Sequence, residues 1–398
     1  MRVIKKLVFG VAICFCASIF FASNSMAAGR GVSDNLIKIG MIMVKTGPAA
    51  ALGLPWGWGI KDTFDYANEQ GGIHGRKIKL IWEDDSYQPA KAIAAFKKLI
   101  FRDKVLFITM MGGTGQTVAL LDQINKYEVV NIPNGLAEEM YKPLKPYVFT
   151  LGATYLTQIR LMFDHIMHDL KAKNPRIAVV YQDSEFGKKG LYAARQSAKE
   201  YGLKLASELE LSLKSVDASS QVLSLKKDKV DYVITCIFVP PLITFLKTAE
   251  KFDYWPTVFG INWSTDDVVV KSCQAAAKNY IGVDFVGAWN DKEPGIEFVR
   301  KLAQKYDRKK MLTCQYINGV AIGKIFIEAM TRAGKDLTPE SLKMAMETLR
   351  DFDTGGMVPL VTYTSTSHAP TKYGRLFRAD LEKGYLVPLT DWRKPRHQ

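Results

Sequence analysis

From Ile37 onward, short runs rich in β-branched and aromatic residues alternate with longer stretches whose apolar positions recur at helical spacing. That alternation predicts βαβ units and mainly parallel sheets. A first strand over 37–44 ends in the turn Thr46-Gly47-Pro48. A helix from about Pro55 turns Ile60, Phe64 and Ala67 inward and stops at Gly71-Gly72. A strand over 77–83 follows, then a helix carrying Ala92, Ala95, Phe96 and Leu99 on one stripe, then strands over 105–110 and 129–132. The rhythm restarts after Phe149, with a helix over 154–170, a strand over 177–181, a helix over 186–201 and a strand over 205–210. Strands over 232–236, 258–261 and 281–285 complete that half. Beyond them the chain turns helical: Ile317, Val320, Ala321 and Ile325 form one stripe, and Thr338-Pro339-Glu340 opens a further helix. Short strands over 361–363, 376–380 and 385–389 finish the tail.

The chain of 398 residues exceeds what one hydrophobic core holds, so the pattern reads as two doubly wound parallel-sheet lobes. The late helices need a sheet to cover, and the first half is short of helices. The chain is therefore expected to return to its first lobe near 286–290. This gives an N-terminal lobe of 36–150 plus 288–350 and a C-terminal lobe of 151–287 plus 351–392. Several parallel crossings between lobes make a hinge, because small φ/ψ changes in each rotate rigid bodies about one axis.

The first 27 residues carry the parts of a secretory signal: Arg2, Lys5 and Lys6, an apolar run to about Ala22, and the small-residue exit Ser25-Met26-Ala27. Cleavage there predicts an exported, periplasmic protein that starts at Ala28. Cys14 and Cys16 follow Ile13 and Phe15, poor matches to the small residue that precedes a lipid-modified cysteine. Cys236, Cys273 and Cys314 remain, so at most one disulfide can form, and no Cys-x-x-Cys spacing marks a metal or redox site. The formal charge is +14, and +11 without the three basic signal residues. The Lys and Arg are spread singly along amphipathic helices, which describes a solvated basic surface and no nucleic-acid partner.

Enzymatic signatures are missing. The sequence holds no Gly-x-Ser-x-Gly elbow, no His-Glu-x-x-His, no Walker pattern and no Gly-x-Gly-x-x-Gly. His165 and His168 lie three apart on a predicted helix without a third ligand nearby, which reads as a solvated face. His368 falls in a loop, where backbone hydrogen bonding is its expected job. Neither catalysis, a metal nor a cofactor is expected.

The order Ile37-Lys38-Ile39-Gly40, Thr46-Gly47-Pro48, Asn68-Glu69-Gln70-Gly71-Gly72-Ile73-His74-Gly75-Arg76-Lys77-Ile78, Glu83-Asp84-Asp85 and Tyr181-Gln182-Asp183-Ser184-Glu185-Phe186-Gly187 resembles the type I periplasmic binding proteins of the leucine/isoleucine/valine-binding group. The similarity spans nearly all of the chain after the signal. It implies a monomeric receptor that closes on a small molecule and delivers it to an inner-membrane ABC permease. A soluble ligand sensor of the same fold is the alternative. Physics gives Glu83 to Asp85 a structural task, capping and solvating a strand end.

Open α/β sheets bind ligands beyond the C-terminal ends of their strands, against helix N-termini. Met111-Gly112-Gly113-Thr114-Gly115-Gln116 joins a strand to an apolar helix at such a place. Gly112 and Gly113 let the backbone approach a ligand, and the helix start with the Thr114 hydroxyl suits a carboxylate. Pro133-Asn134-Gly135-Leu136-Ala137 occupies the segment that faces ligand in the resembling family, with Leu136 where a hydroxyl is usual. The resemblance also implies an acid for a ligand ammonium after the strand over 258–261, and here Asn262 stands in its place. Burying an ammonium without a countercharge is expensive, whereas an amide suits a carboxylate or hydroxyl. Leu52, Trp56, Trp58, Tyr155, Phe186, Phe238 and Trp263 lie near the expected cleft edges. Together these residues favour an aromatic or apolar organic acid, with an amino acid next.

Overall fold

The computed structural model describes residues 29–309, 311–369 and 371–397. The expected signal segment lies outside them. Along the chain the regular elements are β1 (Leu36–Ile42), α1 (Ala50–Glu69), β2 (Lys77–Glu83), α2 (Pro89–Lys97), β3 (Ile108–Met111), α3 (Thr114–Val118), α4 (Leu121–Lys126) and α5 (Tyr155–Asp164). They continue with β4 (Ile177–Tyr181), α6 (Glu185–Glu200), β5 (Ser207–Glu210), α7 (Ser219–Lys227), β6 (Tyr232–Cys236), α8 (Val239–Lys251), β7 (Thr257–Gly260) and α9 (Asp267–Cys273). The last are β8 (Tyr280–Asp284), α10 (Pro294–Lys305), α11 (Cys314–Ala333), α12 (Pro339–Met346), β9 (Arg375–Asp380) and β10 (Tyr385–Pro388).

Two sheets organise them. The first is parallel, in the order β2-β1-β3, with Leu36 beside Lys77 and Ile42 beside Glu83. Its middle strand buries Ile37, Ile39 and Met41 completely, as expected for a strand covered on its faces by helices. The second runs β10-β9-β8-β7-β6-β4-β5, parallel from β5 to β8, with β9 and β10 added as an antiparallel ribbon. The architecture is the α/β fold with parallel sheets that the alternating pattern implies.

Helix α11 returns to cover the first sheet by lying directly on α1. The approach requires glycine on both helices: a Cβ on Gly59 would stand 2.4 Å from the Tyr316 carbonyl oxygen, and one on Gly319 would stand 2.2 Å from that of Trp56. Asp62 of α1 is fully buried there and accepts two 2.8 Å hydrogen bonds from Arg308 and one of 2.9 Å from the Tyr316 hydroxyl. Arg308 in turn lies over the Trp58 ring, 3.8 Å from its centroid.

The chain runs between the sheets near 150, 287 and 357, and these segments are tied to one another. Thr150 donates from its hydroxyl to the His368 carbonyl at 2.8 Å, Tyr363 donates to the Thr150 carbonyl at 3.0 Å, and Gly287 N–H donates to Met357 at 2.8 Å. His368 does the backbone job expected of it, with Nδ1 3.2 Å from the carbonyls of Lys145 and Val148.

Several expected elements differ. The segment 129–132 is not a strand: Asn131 makes one parallel bridge to Val148. Its side chain donates to the carbonyls of Val129 and Tyr147 at 3.0 Å, and Pro133 has no N–H to extend a ladder. The expected strand 361–363 shrinks to a single bridge between Phe352 and Val361. Helix α1 begins at Ala50, ahead of Pro55, which it tolerates inside its second turn. Helices α7 and α8 have no counterpart in the expected pattern. The helix expected over 154–170 passes into a π turn at His165–Asp169. There His165 is buried, not solvated, with Nδ1 2.7 Å from Asp169. Cys236, Cys273 and Cys314 are all free thiols.

Candidate functional site

Beyond the C-terminal end of β3, the chain turns through Gly112 and Gly113 into α3, while α1 starts just after β1. Loops following β4, β6 and β7 approach from the other sheet. Between them lies a cavity of about 380 Å³, lined by Met43, Val44, Ala49, Leu52, Gly53, Tyr87, Gly112, Gly113, Thr114, Asn134, Tyr155, Phe186, Phe238 and Trp263. No ionisable acid or base of carboxylate, amine, guanidinium or imidazole type is among them.

The walls are rings in mutual contact. Phe186 and Phe238 stack with centroids 4.9 Å apart, Tyr87 meets Phe238 edge-on at 5.6 Å, and Trp263 meets Phe238 at 5.9 Å. Trp56 of α1 stacks on Trp263 at 5.3 Å, so the aromatic wall joins the two sheets. Offset and edge-on pairs of this kind add about 0.5–1.5 kcal/mol each beyond their buried area.

One polar line crosses the cavity. The Trp263 indole N–H donates to the Tyr155 hydroxyl at 3.2 Å, and that hydroxyl stands 3.0 Å from the Thr114 hydroxyl. Burial pushes the Tyr155 phenol up to about 12, so it stays protonated. Gly113 has φ of 75°, and its N–H donates to the Asn134 side-chain oxygen. That amide is therefore engaged inside the protein, although the glycine turn was expected to present it outward. Helix α3 has only five residues, and the Thr114 hydroxyl is the polar group that it brings to the wall.

Nine of the fourteen residues expected from sequence line this cavity: Leu52, Gly112, Gly113, Thr114, Asn134, Tyr155, Phe186, Phe238 and Trp263. Trp56 stands behind Trp263. Gly135 is pressed against α3, where a Cβ would lie 2.9 Å from the Thr114 Cα. Leu136 contributes its carbonyl to the Tyr155 N–H at 3.1 Å and is buried outside the lining. Asn262 is also outside the lining. Its backbone N–H donates to Gln158 at 2.9 Å, and both polar atoms of its buried side chain have no hydrogen-bond partner. Trp58 faces away from the cavity, against Trp82 and Arg308.

The acids after β2 divide. Asp84 is the cap expected of it: it accepts from Lys45 N–H at 2.8 Å, Ser86 N–H at 2.9 Å and the Thr46 hydroxyl at 2.6 Å. Despite some burial, these bonds hold it down to about 2. Asp85, expected to be solvated too, is completely buried behind Gly112. Its Oδ1 accepts from Tyr87 N–H at 3.0 Å, its Oδ2 makes no hydrogen bond of good geometry, and burial pushes it up to about 6. A Cβ on Gly112 would come within 2.6 Å of that oxygen.

With this geometry in view, comparison with known proteins is direct. The family model described as periplasmic binding protein matches residues 36–384. The chain belongs to this family. Its members are solute-binding and non-enzymatic, substrate-binding proteins of ABC transporters of the branched-chain amino acid type, which bind small ligands and work with permeases. Among relatives of this periplasmic binding protein, the Leu/Ile/Val-binding protein homolog 7 of Brucella abortus (strain 2308) is 26% identical over 350 residues, covering 83% of this chain and 85% of that protein. A branched chain amino acid ABC transporter protein from Thermus thermophilus, solved with bound valine, superposes with a TM-score of 0.86 at 22% identity, covering 92% of this chain and 98% of its own. A fatty acid ABC transporter substrate-binding protein from Thermomonospora curvata gives 0.84 at 21%, covering 92% and 95%.

Met43, Val44, Ala49, Gly53 and Tyr87 line the cavity of this family member without having been expected there. Tyr87 alone had a sequence signal, since it follows the strand-end acids. The others are small or aliphatic residues indistinguishable from core.

Proposed function

We propose that this periplasmic binding protein is exported through its N-terminal signal and acts as a monomeric receptor for an ABC importer. It captures an aromatic or apolar organic acid between lobes of 36–150 plus 288–350 and 151–287 plus 351–392, and hands it to an inner-membrane permease. The observation that carries the ligand class is a ring-walled cavity whose own lining holds no charged side chain, Asp85 being set behind Gly112. An amino acid would bring both an ammonium and a carboxylate into this lining and an organic acid only a carboxylate, and each unpaired buried charge costs several kcal/mol. The apolar body of an acid would sit among Leu52, Phe186, Phe238 and Trp263.

In this reading the carboxylate lies beside Thr114. Indole N–H can only donate, so Tyr155 accepts from Trp263, and in this reading its own hydroxyl donates onward to Thr114. The Thr114 hydroxyl proton is then left for the ligand. Closure is driven by contacts absent from the open form, since a ligand that binds both forms equally moves no equilibrium. The valine bound by the Thermus thermophilus neighbour and the fatty acid for which the Thermomonospora curvata neighbour is named bracket the range to be tested.

A thermal-shift screen of the mature chain tests this directly, with benzoates, phenylacetates and short fatty acids set against leucine, isoleucine and valine. Organic acids should raise the melting temperature and amino acids should not. A shift confined to the amino acids overturns the reading.

A further inference from the structure

A second cavity, of about 450 Å³, lies away from the aromatic cleft where β8 ends and α9 and α11 begin. Asp266 and Asp267 come to its wall from α9, Asp284 from β8 and Cys314 from α11, with Trp289 and Phe377 as apolar sides. No lysine, arginine or histidine is in the lining. Each carboxylate has one oxygen held by backbone: Asp266 accepts from Val268 at 2.8 Å, Asp267 from Leu386 at 2.9 Å, and Asp284 from Phe285 at 2.7 Å. The remaining oxygen of Asp284, Oδ2, has the Val286 N–H and the Cys314 thiol nearby but makes no hydrogen bond of good geometry with either, although the residue is only 2% exposed. The Cys314 thiol donates instead to the Thr265 carbonyl at 3.2 Å. Arg375, which pairs with Asp284 across the β8–β9 ladder, gives its Nη2 to Asp291.

A buried carboxylate oxygen left without a good hydrogen bond is costly, and three carboxylates around one cavity compound that cost. Burial raises Asp266 to about 6 and Asp284 well above the usual carboxylate value; Lys271, further along α9, offsets only part of this for Asp266 and Asp267. Among the described residues no three such groups converge as a metal ion requires. The acids are instead spread along one lining that they share with Trp289 and Phe377. We propose that this cavity is a second ligand site, which takes a small organic cation carrying N–H donors, an alkylammonium or a guanidinium. Its N–H groups meet Asp284 Oδ2 and the acids of α9, and its alkyl part lies against Trp289 and Phe377, where aromatic faces also attract cations. Residues 286–290 line the same cavity and belong to one of the segments that run between the sheets. Occupancy therefore links β8, α9 and the start of α11 at the place where the lobes would hinge.

Calorimetry on the full mature protein tests the site with n-butylammonium and agmatine as probes and n-butanol as the neutral control. Both cations should bind saturably and n-butanol should not. Binding should release protons, seen as heats that differ between buffers of different ionisation enthalpy, because Asp284 and Asp266 must ionise while facing Asp267, Cys314 and Tyr280. Asp284→Asn should weaken the cations about tenfold or more, the loss of one charge-assisted hydrogen bond. Asp267→Asn, at a less buried position, should do the same if Asp284→Asn does not fold. Absence of saturable heat in the wild type, equal binding of n-butanol, or undiminished affinity in both folded variants overturns the proposal. So does binding that is lost in Thr114→Ala and kept in Asp284→Asn, which would place the cation in the aromatic cleft.

Discussion

Asp85 shows how one carboxylate ties stability to the chemistry of the cleft. Its value in the folded chain is about 6 against an ordinary 3.8, because burial penalises the charge by more than hydrogen bonds from Tyr87 and Gln116 offset. A group raised in this way contributes its full stability below 3.8 and loses it as pH rises through about 6. Asp84, held down to about 2, works in the opposite sense but below this window. We therefore expect Asp85→Asn to remove part of the pH dependence: the gap in unfolding free energy between variant and wild type should shift in the variant's favour as pH rises from 4 to 7, by up to about 3 kcal/mol. Urea unfolding at several pH values measures it. The same charge lies behind Gly112, so an anionic ligand should bind more tightly to the variant at pH 7. The sequence displayed the acid pair but not its division, since burial differs between neighbours by the direction each side chain takes from the turn. Thr114, Tyr155 and Trp263 were legible for another reason: each sits at a strand end or helix start, where position alone points toward a cleft. Asn262 and Leu136 occupy similar places, yet their side chains turn out of the lining, which chain position does not reveal.

At the level of elements, alternation of strand and helix was readable wherever apolar periodicity was clean. β1, β2, β4 and α6 lie within a residue or two of their expected places. At 129–132 side-chain hydrogen bonds accompany a ladder too short to make a strand. The Asn131 side chain bonds the carbonyls of Val129 and Tyr147 alongside the backbone pair of Asn131 with Tyr147. The contact of α1 with α11 was hidden because it is written in glycines, Gly59 and Gly319, that a periodicity argument counts as neutral. The buried Asp62 between those helices has a testable weight. Asp62→Ala leaves the Arg308 guanidinium and the Tyr316 hydroxyl without their shared acceptor, and breaking a buried pair of this kind costs about 3–5 kcal/mol. Chemical denaturation should show a lower midpoint with an unchanged slope. A shift under 1 kcal/mol would mean that Arg308 finds another partner.

For the whole molecule, the segments near 150, 287 and 357 run side by side and bond to one another, so bending must be shared among them. In the structure the first sheet's Trp56, Tyr87 and Thr114 already touch the second sheet's Trp263, Phe238 and Tyr155. Solution scattering should show a smaller radius of gyration with saturating ligand than without, and an identical radius in both would mean that capture needs no lobe motion.

The neutral lining of the aromatic cavity has a kinetic corollary. The chain as a whole carries 54 basic and 40 acidic residues, so an approaching anion is drawn by a field that salt weakens. Once enclosed, the anion meets dipoles and rings that ions in solution do not reach. Added sodium chloride should therefore slow its arrival while leaving its residence time unchanged, a split that stopped-flow fluorescence from Trp56 and Trp263 is placed to read.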